Sequence, residues 1–362
     1  MAWYPWLSQP YRQLVALHQA GRGHHALLLH AVAGSGHDTL MYALSRWLLC
    51  QQRQGEKSCG QCHACHLMLS GHHPDWHVLA TETDKTHTGI DAVRRLIDTL
   101  YSHAQQGGEK VVCIPQPALL TEAAANALLK TLEEPPERTY FLLTCSEPGR
   151  LLATLRSRCF CWHLPCPPAS ISLQWLSQQA ATHTIIVNTN IVNNNIANNN
   201  IEINNIANNE AVSNKKAMLT ALRLHQGAPL AAWQLLQPEC WQQRSALCQT
   251  VTDALTQRDL LSGLLSVLNH DNVAQRLHWL SSLLLDALKW QQGAGAWAVN
   301  QDQQALIAQL AQSMSGAGLV KLAQRWGQCR HQLITITGIN RELLLTDQIV
   351  QWENLLFADP AH

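Results

Sequence analysis

Four cysteines fall within sixteen residues, in the stretch "CQQRQGEKSCGQCHAC": Cys50, Cys59, Cys62 and Cys65, spaced C-x8-C-x2-C-x2-C. Thiolates two residues apart can share one tetrahedral ion. Four sulfurs close its shell, which suits a structural Zn²⁺ with no open catalytic position. The spacing leaves other readings open. Triplets of C-x2-C also hold iron–sulfur clusters, although here the fourth cysteine lies upstream and no Cys-Pro follows. The thiols could also be free, and His63, His66, His72 and His73 stand near enough in sequence to substitute as ligands.

A second candidate is "AGSGHDTL" (33–40), which follows the apolar run "ALLLH" where a nucleotide-binding chain carries its phosphate loop. A working loop reads G-x-x-x-x-G-K-[ST]. Its glycines let backbone N–H groups close around the phosphates, its lysine reaches them, and its hydroxyl holds Mg²⁺. Gly34 and Gly36 are present, but Ala31 replaces the first glycine of the pattern, and His37 and Asp38 replace lysine and serine or threonine. Histidine is shorter than lysine and largely uncharged at neutral pH, and a carboxylate at Asp38 repels phosphate. The acidic pair expected after the strand "KVVCI" is missing too, since Pro115 and Gln116 stand there. Two losses on one site predict a strand-to-helix turn that keeps the shape of a phosphate loop without its chemistry. An active ATPase with an atypical loop is the alternative.

The third candidate is "LRSRCF", where Ser157 lies between Arg156 and Arg158. Read as the start of a strand, the two arginines share one face, and the plain expectation for either is a surface salt bridge.

These residues need elements to hold them. "HALLLH" (25–30), "DWHVLA" (75–80), "EKVVCIP" (109–115), "TYFLLTCS" (139–146) and "RCFCWHL" (158–164) read as strands, several of them continuous apolar runs suited to a parallel sheet buried on both faces. Between them, "DAVRRLIDTL" aligns Val93, Ile97 and Leu100. "TEAAANALLKTLEE" aligns Ala124, Leu128 and Leu132, with Thr121 as N-cap and Pro135-Pro136 as stop. Strand and helix in alternation predict an α/β module over residues 1–165, in which Cys113, Cys145 and Cys159 are small buried strand residues. "LPCPPAS" ends it. A small helical region over 166–238 follows, carrying an asparagine-rich insert at about 184–214 with too little apolar surface to order itself. Residues 239–362 read as helical, with Leu277, Leu280, Leu284 and Leu288 on one face and Leu345, Ile349, Trp352 and Leu356 on another, after Asn340 as cap.

The chain of 362 residues has 25 basic and 25 acidic side chains and a formal charge of zero, which argues against a protein that holds nucleic acid alone by neutralising phosphates. A zinc-dependent nucleic-acid-binding module is therefore the weaker alternative. Twelve cysteines, a third of them in one cluster, do not resemble a secreted disulfide framework. Without an apolar span or a signal-peptide layout, a cytoplasmic location with no membrane partner is expected.

Taken together, "NALLKTLEEPP" (126–136), "TLRSRC" (154–159), the cysteine set after the loop helix, "GIDAVRRL" (89–96) and "GINRELLLTD" (338–347) resemble the delta-prime family of bacterial DNA polymerase III subunits, in the clamp-loader branch of the AAA+ proteins. The resemblance implies a P-loop-type AAA+ module with a zinc site, a helical lid and a helical collar domain for oligomerisation. It implies no intrinsic catalysis and no bound ATP, the loop at Gly34, Gly36, His37 and Asp38 being a vestige. The region "HQGAPLAAW" (225–233), matching the lid's sensor arginine in active members, has no Arg. The resemblance also makes Arg158, in Ser157-Arg158-Cys159, an arginine finger acting in trans on a neighbouring ATPase. The partners it implies are the gamma/tau ATPase subunits and the delta subunit, and through them the sliding clamp and primer–template DNA at the replisome and nucleoid.

Overall fold

The computed structural model describes residues 2–82, 85–188, 214–336 and 338–357, with side chains for all of these but 183–188 and 357. The chain divides into two compact units, Met1–Ile171 and Ser172–His362. Residues 189–213, most of the asparagine-rich insert expected to be disordered, lie outside the described residues.

In the first unit five strands form one parallel sheet in the order β2-β3-β4-β1-β5: β1 Ala26–Ala31, β2 Trp76–Val78, β3 Lys110–Ile114, β4 Thr139–Cys145 and β5 Phe160–Leu164. Alternation along β1 explains its unbroken apolar run. Leu27 and Leu29 pack with α1 (Ser8–Gln19) and α2 (His37–Leu49) through Leu14, Leu40, Leu44 and Trp47. Ala26 and Leu28 face the other way, toward Val93 and Leu100 of α4 (Ile90–Leu100) and Leu128 and Leu132 of α5 (Glu122–Glu133). The Thr121 hydroxyl caps α5 by accepting from Ala124 N at 3.2 Å. The expected continuity of burial fails at β5, an edge strand with Phe160, Cys161 and His163 exposed. Short connections include α3 (His63–Ser70) and the single turn α6 (Ala153–Arg156). The loop after β1 and the turn after β3 both lie at the carboxyl ends of parallel strands, where ligand sites of open α/β sheets collect.

Among the described residues the elements of the second unit are all helices. After most of α7 (Ala169–Asn188) come α8 (214–224), α9 (Pro229–Leu235), α10 (Pro238–Gln257), α11 (Leu261–Leu268), α12 (Val273–Gln291), α13 (Gln304–Ser313), α14 (Gly316–Thr335) and α15 (Arg341–Phe357). One hydrophobic core runs from Leu176 to Trp352, and Trp326 meets Trp352 edge-on at 6.2 Å. The apolar faces read from sequence are buried at Leu277, Leu280, Leu284, Leu345, Ile349 and Trp352, and Asn340 Oδ1 accepts from Leu343 N at 3.1 Å as the cap of α15.

Inside this core lies a polar cluster. Arg244 donates to Asp302 at 2.6 Å and to Asn300 Oδ1 at 2.7 Å, and Asp286 accepts the Val299 and Asn300 N–H groups at 2.9 and 2.7 Å. Each residue of the cluster has a charged or polar partner, which offsets much of the cost of burying it, although Arg244 Nε itself is buried without one. The cluster pins the 298–302 loop against α10 and α12.

Candidate functional site

The loop between β1 and α2 has the backbone of a phosphate loop. Gly34 and Gly36 take φ of 80° and 90°, Ser35 N donates to Val32 O at 3.0 Å, and Gly36 caps α2. Only glycine holds such angles without strain. The space above it is taken by the chain itself. Trp6 Nε1 donates to Ser35 O at 2.8 Å, and Tyr4 stacks on Trp6 with ring centroids 5.1 Å apart. A Cβ placed on Gly36 would stand 3.1 Å from the Tyr4 ring. Ser35 and Gly36 are buried beneath this aromatic pair. His37 turns along the helix start, with Nε2 3.4 Å from Asp38 Oδ1 and Nδ1 3.4 Å from Ser35 Oγ. At the end of β3, Thr144 Oγ1 donates to Pro115 O at 2.7 Å, and Gln116 is exposed. Neither a lysine nor a carboxylate pair stands at the places where phosphate and Mg²⁺ would require them.

The four cysteines converge from three places. Cys50 ends α2, Cys59 comes from the connecting loop, Cys62 caps α3 and Cys65 lies in its first turn. Their sulfurs all lie within 4.8 Å of one another, with Cys50–Cys59 at 3.6 Å, Cys59–Cys65 at 3.9 Å and Cys50–Cys62 at 4.0 Å. A tetrahedron of sulfurs about 2.3 Å from a zinc ion has edges of about 3.8 Å, so the donor set fits that ion. Among the described residues the cluster consists of these four cysteines, without a histidine. Backbone N–H groups of Gln61 and Cys62 point at Cys59 Sγ from 3.4 and 3.2 Å and push that thiol down to about 6. Burial pushes Cys65 up to about 12 and raises Cys50. An ion held by this set would take all four as thiolates. The loop is also fastened without metal. Trp47 Nε1 and Gln19 Nε2 donate to Gly55 O at 3.0 and 2.9 Å, and Arg53 lies over the Trp47 ring.

Arg156 and Arg158 are not on a strand. Arg156 is the last residue of α6, and Arg158 sits in the turn before β5, so the shared strand face expected from their spacing does not exist. Leu155, fully buried, anchors the turn between them. Arg156 is exposed, while Arg158 lies back against its own chain. Arg158 Nε donates to Glu133 Oε1 at 2.5 Å, Nη2 contacts the same oxygen, and Nη1 donates to the Thr154 carbonyl at 2.8 Å. Cys159, just outside β5, is half-buried, and burial pushes its thiol up to about 12.

Two participants carry no sequence signal. Glu133 looks like an ordinary solvated residue in "TLEEPP", and the aromatic N-terminus "WYPWL" gives no hint that it covers a loop 29 residues away.

Three family profiles match in succession: "DNA polymerase III, delta subunit" over residues 6–167, "DNA polymerase III subunit delta', AAA+ ATPase lid domain" over 208–237, and "DNA polymerase III, delta subunit, C terminal" over 238–354. The DNA polymerase III subunit delta' of Yersinia pestis is 60% identical over 356 residues, covering 98% of this chain and 97% of that protein. Its namesake in Escherichia coli K12 is 47% identical over the same length and the same shares. The Escherichia coli DNA polymerase III subunit tau is 35% identical over 144 residues, 40% of this chain and 22% of that protein.

Proposed function

The chain belongs to the delta-prime family of DNA polymerase III subunits, and from that premise we propose that it is the non-hydrolysing, stator-like member of the clamp loader. In this reading it helps place the sliding clamp on primed DNA during replication and completes the active site of a neighbouring gamma/tau ATPase subunit with Arg158. The delta subunit is its other neighbour, and contact with the clamp and primer–template DNA runs through the assembly, in the cytoplasm at the replisome. The observation that carries the reading is the contrast between the two ends of the parallel sheet, the loop after β1 at the carboxyl end and the turn before β5 at the amino end. The phosphate loop lies under Tyr4 and Trp6 and lacks its lysine, while an arginine is held at the surface of the same module.

Three parts follow from the family: an AAA+ module over 1–165, a lid over 166–238 and a collar over 239–362. The profile boundaries near 167 and 237 support this division. Cys50, Cys59, Cys62 and Cys65 are the ligands of a structural Zn²⁺, which when bound cross-links the end of α2 to α3. An arginine finger neutralises charge on the transferred phosphoryl and is worth about 10³–10⁵ in rate, or roughly 4–7 kcal/mol of barrier.

Two measurements test this. A fluorescent-ATP titration of the purified chain with Mg²⁺ should show no binding that ADP displaces; saturable, displaceable binding would reopen the ATPase reading. In a reconstituted loader, Arg158→Ala should lower clamp- and DNA-stimulated hydrolysis by about 10³ or more while the subunits still assemble. Unchanged hydrolysis would sink the finger assignment.

A further inference from the structure

The guanidinium of Arg158 is held on all three of its nitrogens by its own chain. Glu133 Oε1 takes Nε and contacts Nη2, and the Thr154 carbonyl takes Nη1. An arginine whose only task is solubility has no need of this. Loose surface arginines sample many rotamers, and the planar fork loses less freedom per bond when it is organised beforehand.

The holding groups are themselves fixed. Glu133 is the last residue of α5, whose end is set by Glu134 N donating to Lys130 O at 3.0 Å and by His25 Nε2 donating to the Leu132 carbonyl at 2.7 Å. Pro135 and Pro136 then prevent the helix from continuing. The carboxyl end of a helix carries partial negative charge, so a guanidinium docked there is favoured twice, by the dipole and by the carboxylate. Thr154 belongs to α6, fixed beneath by the buried Leu155. Two elements from different parts of the chain thus define one orientation of one side chain.

Resting on the finger reading given above, we propose that Glu133 is the positioning residue of Arg158. It fixes the guanidinium in the orientation that the neighbouring subunit's ATP meets, so that the arginine need not be immobilised at the moment of phosphoryl transfer. The guanidinium has five N–H groups, so donors remain for a phosphate oxygen after Glu133 and Thr154 are served. Glu133 touches no substrate and acts through Arg158 alone. Its carboxylate is about half exposed, so replacing it leaves no buried group unpaired.

The experiment uses the reconstituted loader with Glu133→Gln, Arg158→Ala and the double variant. Glu133→Gln keeps the shape of the side chain and removes its charge. The expected result is a kcat of clamp- and DNA-stimulated ATP hydrolysis lower by roughly ten- to a hundredfold, with KM for ATP and the melting temperature unchanged. The double variant should be no slower than Arg158→Ala, because nothing remains to be positioned. Full activity in Glu133→Gln beside a strongly impaired Arg158→Ala would overturn the positioning role and leave the finger reading intact. Faster hydrolysis in Glu133→Gln would overturn it as well and make the contact a brake. Full activity in Arg158→Ala would bring down the finger reading itself. If Glu133→Gln fails to assemble, Glu133→Asp, which keeps the charge on a shorter arm, should show an intermediate loss of kcat; wild-type kcat there would overturn the proposal.

Discussion

Each unit of the chain has an arginine that reaches a carboxylate, and the two pairs differ in almost everything but chemistry. Arg158 and Glu133 lie at the surface, with side chains 29% and 48% exposed. Arg244 and Asp302 lie inside the helical unit, at 0% and 13%. Exposed pairs contribute about 0–1 kcal/mol because water and salt screen them. Breaking a buried pair from one side costs about 3–5 kcal/mol, since the remaining charge is left without a partner. Arg158 can therefore give up part of its bonding to a stronger anion at little expense to the fold, and Arg244 cannot. Burial, rather than the identity of the pair, separates the arginine free to act from the one committed to structure.

The largest expected effects split along this line. Arg158→Ala should remove most of the loader's stimulated hydrolysis and leave the melting temperature of the isolated chain within about a degree, as surface substitutions do. Arg244→Ala should do the reverse to the isolated chain, destabilising it by about 3–5 kcal/mol. Asn300, Thr220 and the 298–302 loop should lose their register with it, because Asp302 also accepts from Thr220 Oγ1 at 2.8 Å. Denaturant unfolding of both variants checks the pair. Equal destabilisation would erase the distinction between them.

The cysteine cluster stands between these extremes. The purified protein should contain one zinc per chain, and chelation should cost about 2–3 kcal/mol, or several degrees of melting temperature for a unit of this size. Hydrogen exchange should rise over residues 50–66 and little elsewhere, because Trp47, Gln19 and Arg53 hold the loop by other means. Global unfolding on chelation would show that those contacts depend on the metal.

What could be read from the sequence, and what could not, follows the range of the forces. Strands β1, β3 and β4 were visible because burial on both faces demands unbroken apolar runs, and the cysteine set because coordination fixes close spacing. Thr121 and Asn340 announced their helices because capping is local. The turn holding Arg158 was misread as strand, since a single turn such as α6 is too short to display a helical period. Glu133 lies 25 residues from its partner and Trp6 lies 29 from Ser35, and nothing local couples such positions. The convergence of the four cysteines was thus legible, and the groups that lie against Arg158 or cover the phosphate loop were not.

The smallest expected effect concerns pH. Burial, with His278 beside it, pushes His225 in the helical unit down to about 4. In the unfolded chain the same ring protonates near 6.5. Between these values the unfolded state binds the extra proton and the folded state does not, so stability falls as pH drops from about 6.5 toward 4. After discounting for partial exposure of the ring, the loss is on the order of 1 kcal/mol. Urea unfolding at pH 7 and pH 5 should show it, and His225→Asn should flatten part of that slope. His278, and in the first unit His18, His73 and His77, are also held down by burial and keep the remainder. An unchanged slope in His225→Asn would move the acid sensitivity to other groups. His225 lies in the turn that follows α8, as the first residue of the 225–233 stretch.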